Sequence, residues 1–288
     1  MSMTGYYRHE TVEGCVKLLA DMRGEARVLA GGTDLIPKMK KGKLAVTAVL
    51  DLGGVKGLGR IVQEEGGVFV GAMVRLRELE KAESLTGPLA VLRRCAGHVS
   101  SMQVRNVATV GGNVCNASPA ADTVPGLLVL DAVARIAGPK GDREVPLESF
   151  FIGPGETVLG PGELLTGLFV PAPKPRTGAV YRKYSIRGDS DLSIVGAGAL
   201  VSLDEGGRIS AARIALASVG PTPLRMKEAE EMLLGKAPGE ALFRDVAAAC
   251  AESCKPITDH RATAAYRRDM VRVWVSDALQ GAALEAAK

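Results

Sequence analysis

Two phrases of the same shape constrain this chain more than anything else in it: VLAGGTDLIPKMK at 28–40 and TVGGNVCNASPAAD at 109–122. The first reads as a buried strand that turns on Gly31 and Gly32, and the second repeats the turn on Gly111 and Gly112. Two consecutive glycines remove both Cβ atoms, so successive N–H groups can converge on an anion in a concavity that suits phosphate. Thr33, Asp34 and Asn113 bring a hydroxyl, a carboxylate and an amide of the right length to orient a ligand. A glycine pair after a strand also makes an ordinary tight turn or bulge, and either phrase alone reads first that way. Two such phrases fit a pyrophosphate better than a single phosphate.

The flanking pattern places these phrases in an α/β context. Thr11 is expected to cap a helix through VEGCVKLLADM, ended by Gly24 before the strand ARVLA. A strand is expected at 45–52, then the glycine-rich linker GGVKGLG, a strand at 67–74 and helical pattern over 76–98. DTVPGLLVLDAVA reads as a helix running into a buried strand, and the chain changes character over Pro171–Gly178. Beyond it, LSIVGAGALVSLDEGGRISAARIALASVG reads as two long strands joined at DEGG, with helices from Leu224 onward. With 288 residues, 47% of them hydrophobic, the chain can bury a large core and divide into two domains.

Several function classes drop out. Lys plus Arg number 36 against 32 Asp plus Glu, a surplus too small and too scattered for a nucleic-acid partner. No apolar run reaches the roughly 18 residues of a membrane span, and MSMTGYYRHE has no signal-peptide character. Five dispersed cysteines point to a reducing, cytoplasmic setting. There is no GxxxxGK[ST] loop, and the one GxG, Gly196 and Gly198, falls inside the expected hairpin, so a Rossmann site fails on context. His9, His98 and His260 are too dispersed for a zinc site, and Cys250 and Cys254 read as two small apolar residues on one helix face. Neither a GxSxG elbow nor a Ser-His-Asp or Cys-His set is present.

Taken with their flanks, the phrases resemble a known family. LAGGTDLI at 29–36, TVGGNVCNASPAADT at 109–123, FFIGPGETVL at 150–159 with ELL at 163–165, YRKYSIRGDSDLSIVGAGA at 181–199 and YRRDMVRVWVSDAL at 266–279 stand in the order found in the FAD-binding medium subunit of molybdenum hydroxylases. That group includes the xanthine and carbon monoxide dehydrogenases. The resemblance implies an α+β fold: an FAD-binding domain of the p-cresol methylhydroxylase (vanillyl-alcohol oxidase) type over 1–172, in subdomains of about 1–56 and 57–172. A smaller α+β domain of the CO-dehydrogenase-flavoprotein type follows over 178–288.

It also implies a site. Leu29, Ala30, Gly31, Gly32, Thr33, Asp34, Leu35 and Ile36 form the first loop around the FAD diphosphate and ribityl chain, and Thr109, Val110, Gly111, Gly112 and Asn113 the second. Asp122 matches an acid associated with the adenosine part, Leu165 an apolar residue near the cofactor, and Lys183 a basic residue near the isoalloxazine edge. Val99 and Ser101 match further lining positions. Backbone donors for the diphosphate, a carboxylate for ribose hydroxyls, an apolar wall and a cation for reduced flavin make a coherent set. Without the family match, Lys183 would decorate a strand edge, Asp122 would cap a helix and Leu165 would be core.

The function implied is an electron relay: a molybdenum large subunit hydroxylates substrate, a small subunit with two [2Fe–2S] clusters passes single electrons, and FAD in this chain delivers pairs to an external acceptor. A dimer of heterotrimers is implied, with FAD the only redox cofactor here. Thr33-Asp34 stands where carbon monoxide dehydrogenases tend to have a histidine or glutamine and then serine, which favours a purine, aldehyde or N-heterocycle as substrate. Arg187-Gly188 departs from the paired arginines of many members. Two other readings stand beside this one: a self-contained FAD-dependent oxidoreductase of the same fold, and a non-catalytic assembly protein, which decayed glycine loops would mark.

Overall fold

A computed structural model describes residues 5–188 and 190–288; residues 1–4 of the N-terminal stretch and Asp189 of the fourth phrase lie outside them. The first unit comprises β1 (Gly5–Arg8), α1 (Val12–Asp21), β2 (Ala26–Leu29), α2 (Leu35–Lys40) and β3 (Ala48–Asp51). Its three strands form a parallel sheet in the order β1-β3-β2. Thr11 caps α1, its Oγ1 accepting from Gly14 N at 3.1 Å, and Cys15, Val16 and Leu19 place one helix face against Ala48 and Leu50.

The second unit begins with the hairpin β4 (Ile61–Glu64) and β5 (Gly67–Gly71), of which the sequence pattern showed only the second strand. Helices α3 (Leu76–Glu80), α4 (Ala90–Gly97), α5 (Met102–Arg105), α6 (Val110–Cys115) and α7 (Thr123–Val129) follow. The chain then returns as β6 (Val133–Ala137), β7 (Arg143–Pro146), the small hairpin β8 (Phe151–Gly153) and β9 (Glu156–Thr157), and β10 (Leu164–Pro171). The five long strands make an antiparallel sheet in the order β4-β5-β10-β6-β7.

One expectation is overturned here. Gly111 and Gly112 do not form a turn after a strand; they sit in the first turns of α6, capped by Thr109 Oγ1, which accepts from Gly112 N at 3.1 Å. Glycine is a poor helix former, and the turn is held helical by its packing: Val110 N donates to Val74 O and Gly111 N to Ala72 O.

The third unit holds β11 (Thr177–Tyr184), β12 (Val195–Leu203), β13 (Ile209–Ala217) and β14 (Leu224–Arg225), a four-stranded antiparallel sheet in chain order. It is followed by α8 (Lys227–Glu231), α9 (Glu240–Ser253) and α10 (Ala264–Ala286), so Leu224 opens an edge strand rather than a helix. β12 is buried along its whole length: Val195, Ala197, Ala199 and Val201 face the core shared with α9 and α10, while Leu200 faces the core shared with the second unit. This two-sided burial explains a strand that alternates small with branched residues and carries no charge. Cys250 in α9 and Cys254 just beyond it are both buried in the third unit's core, where burial pushes both thiols up, Cys254 to about 12.

Candidate functional site

A cleft of about 800 Å³ runs between the first unit and the other two. Its floor joins both glycine phrases, the start of α7, the 163–165 turn into β10, and residues 190–192.

The first phrase leaves β2 at Leu29 and enters α2 at Leu35, and Gly32 between them has φ +72°, a region glycine adopts without strain. A Cβ on Gly31 would stand 2.2 Å from the carbonyl oxygen of Val107, so this loop lies backbone to backbone on the segment that leads into α6. Among the described residues, no acceptor is found for the amides of Gly31, Gly32, Thr33, Asp34 and Leu35, and all five residues line the cleft. Five successive unclaimed donors on one wall are what an anion needs.

The second phrase contributes differently from its expected role. Its amides are spent within the protein: Val110 on Val74, Gly111 on Ala72, and Gly112 and Asn113 on Thr109. Gly111 is required for close packing, since a Cβ there would meet the Ala72 Cβ at 2.5 Å. What α6 offers the cleft is side chains. Asn113 Oδ1 accepts from Thr123 Oγ1 at 2.5 Å, and Asn116 Oδ1 accepts from Lys38 Nζ at 3.1 Å across the cleft, which orients both carboxamides.

Asp122 lines the cleft from the N-terminus of α7 and makes no capping bond. Its carboxylate instead accepts from Tyr181 Oη at 2.7 Å and Lys183 Nζ at 3.0 Å, and Lys183 also donates to His98 O at 2.8 Å. Burial pushes the Asp122 carboxyl up from its ordinary value, while Lys183 and Tyr181 pull the other way. Lys183 itself is buried behind Asp122 and lies outside the cleft lining. Leu165, Leu164, Leu159, Val99 and Val104 give the cleft lining its apolar side chains. Glu163 in the same lining is tied to Arg143 and to Gly160 N, which fixes the turn before β10.

Of the remaining residues marked in the sequence, Ala30 and Thr109 line the cleft, whereas Leu29, Ile36, Ser101 and Val110 stand outside its lining. Leu29 and Ile36 pack under α2 with Met39, Val46 and Val49; Ser101 caps α5; Val110 is fully buried. Lys38, Asn116, Ser118, Leu159 and the 190–192 segment line the cleft and were not marked. Reading TVGGNVCN as a helix would have found Asn116, because positions i and i+3 share a face with Asn113.

The arrangement can seat a molecule with an anionic part and an apolar part. Comparison with known proteins supports that reading. The family model described as "FAD binding domain in molybdopterin dehydrogenase" matches residues 2–173, and "CO dehydrogenase flavoprotein C-terminal domain" matches residues 163–282. The carbon monoxide dehydrogenase medium chain of Hydrogenophaga pseudoflava is 32% identical over 277 residues, covering 96% of each chain. The xanthine dehydrogenase FAD-binding subunit of Escherichia coli O157:H7 is 29% identical over 283 residues, covering 98% of this chain and 96% of its own. A solved carbon monoxide dehydrogenase from Hydrogenophaga pseudoflava, lacking the Mo-pyranopterin moiety of its cofactor, superposes with a TM-score of 0.94 at 32% identity, over 99% of this chain and 98% of that one.

Proposed function

This chain belongs to the family of FAD-binding domains of molybdopterin dehydrogenases, and from that premise we propose that it is the electron-transfer subunit of a molybdenum-containing hydroxylase or dehydrogenase. The run of five unclaimed amides on one wall of the cleft carries the reading. It is a cradle for a diphosphate, and the apolar side chains of the lining suit a flavin ring. The α+β fold of two subdomains with a smaller C-terminal domain fits the same family.

On this reading the amides of residues 31–35 and the Thr33 hydroxyl hold the diphosphate. The Asn113 carboxamide, fixed by Thr123, orients the adjoining chain. Asp122 retains acceptor capacity beyond its bonds to Tyr181 and Lys183 and presents it to ribose hydroxyls. Lys183 acts through Asp122, holding its charge in place, and Leu165 with Val99 closes the site around the ring. Bound FAD supplies a centre that takes up electrons singly and releases them in pairs. Residues 1–172 carry the cofactor and 178–288 form a second domain.

The partners on this reading are a molybdenum-cofactor large subunit and a [2Fe–2S] small subunit, assembled as a dimer of heterotrimers in the cytoplasm. No helix among the described residues is long and apolar enough to cross a membrane. The substrate of the complex is a purine, aldehyde or N-heterocycle, argued from Thr33-Asp34.

The test is the visible spectrum of the purified chain, with the chromophore released by acid and identified by mass. FAD is expected in the supernatant, and candidate substrates are expected to bleach it only when the partner subunits are present. Bleaching by substrate in the isolated chain would overturn the relay in favour of a self-contained oxidoreductase.

A further inference from the structure

The charged groups of the cleft are unequally matched. Of its four acids, Asp122 is paired with Lys183, Glu163 with Arg143 and Asp191 with Arg187, while Asp34 has no ion pair among the described residues. Among the described residues, Lys38, one turn into α2, has no carboxylate partner. Asp34 lies four residues before it, and the Lys38 amide donates to the Asp34 carbonyl at 3.1 Å, yet the ammonium reaches the other way. It donates to Asn116 Oδ1 at 3.1 Å, spanning from α2 to α6. A carboxamide oxygen takes one of the three ammonium hydrogens and leaves the full charge and two donors unused.

We propose that Lys38 is a cofactor-binding residue of this chain: its ammonium, positioned by Asn116, neutralises the diphosphate held on the amides of residues 31–35. The inference rests on the FAD reading of the cleft. Uncharged amides orient a diphosphate but leave its two charges uncompensated, and the structure places in the same cleft lining an ammonium that has no counter-ion among the described residues. Asn116 is a positioning residue, since it restrains a long side chain that would otherwise lose rotamer freedom on binding. Lys38 is exposed and supports no core, so replacing it leaves the fold intact.

The experiment uses the full chain stripped of flavin, titrated with FAD by fluorescence quenching across a range of salt concentrations, with riboflavin as the probe that lacks a diphosphate. Lys38→Met is expected to weaken FAD binding about ten- to a hundredfold at low salt and to flatten its salt dependence. Riboflavin affinity is expected to be unchanged and Lys38→Arg to bind FAD nearly as the wild type does. Asn116→Leu is expected to give a smaller loss, about three- to tenfold. Unchanged FAD affinity and salt dependence in Lys38→Met would overturn the proposal, as would an equal loss for riboflavin. Failure of the wild-type chain to bind FAD at all would instead overturn the cofactor reading, and the inference with it.

Discussion

At the residue scale, the cleft is built by atoms that are missing. The bare face of Gly31 meets the carbonyl of Val107 at a distance no Cβ can share, and backbone cannot swing aside as a side chain does. Gly31→Ala is therefore expected to cost about 1–3 kcal/mol of stability by overpacking and to lose FAD. Gly112→Ala meets only the Thr109 hydroxyl at 2.9 Å and the Ala30 methyl at 3.6 Å, and is expected to cost less. Urea unfolding of the two variants checks the order, and the reverse ranking would refute the account. The sequence showed that these positions need glycine; it did not show why. It offered an open face for a ligand, whereas Gly31 and Gly111 are bare so that two backbones can touch. The ligand-facing feature is the neighbouring run of amides, which no residue type announces.

At the scale of elements, the short helix α6 decides where Asn113 and Asn116 stand. Thr109 is 2% exposed, and its hydroxyl is the acceptor that closes the first turn. Thr109→Val keeps the shape and removes that acceptor, at a cost of about 1 kcal/mol. The variant is expected to bind FAD several-fold more weakly while Thr109→Ser stays near wild type, both measured by fluorescence quenching; equal affinities would show that the cap does not set the helix. Two elements were legible from local pattern: α1 from its apolar period and its Thr11 cap, and the β12–β13 hairpin from the turn at DEGG. VGGNVC carries no period and two poor helix formers, and the Thr109 cap with the acceptors of Val74 and Ala72 holds it helical. Local propensity points to a turn there, and tertiary hydrogen bonds override it.

At the scale of the whole molecule, the cleft lies between the first unit and a joined pair. The second and third units share one core and are tied by Arg213 and Arg225 to Asp131, by Lys227 to Glu148 and by Arg94 to Glu285. The first unit packs α1 against Ala137 of β6 and Leu164 of β10, and also meets the second unit through the backbone contact of Gly31 with Val107 and the bond of Lys38 to Asn116. A ligand in the cleft therefore adds contacts between units, and stripping FAD is expected to lower the melting temperature. The difference should correspond to about 2.7 kcal/mol at a free FAD concentration one hundred times its Kd. A melting curve indifferent to saturating FAD would contradict this arrangement. The sequence alone determined the family, the α+β class, FAD as the cofactor and the two phrases that meet at one cleft, because those depend on residue types at fixed spacing. Only the tertiary structure decided which amides remain free, that Lys183 stands behind Asp122 rather than in the cleft, and that Lys38 crosses to Asn116. Those are distances between residues far apart in the chain, and they are set by how three sheets pack, which no local pattern records.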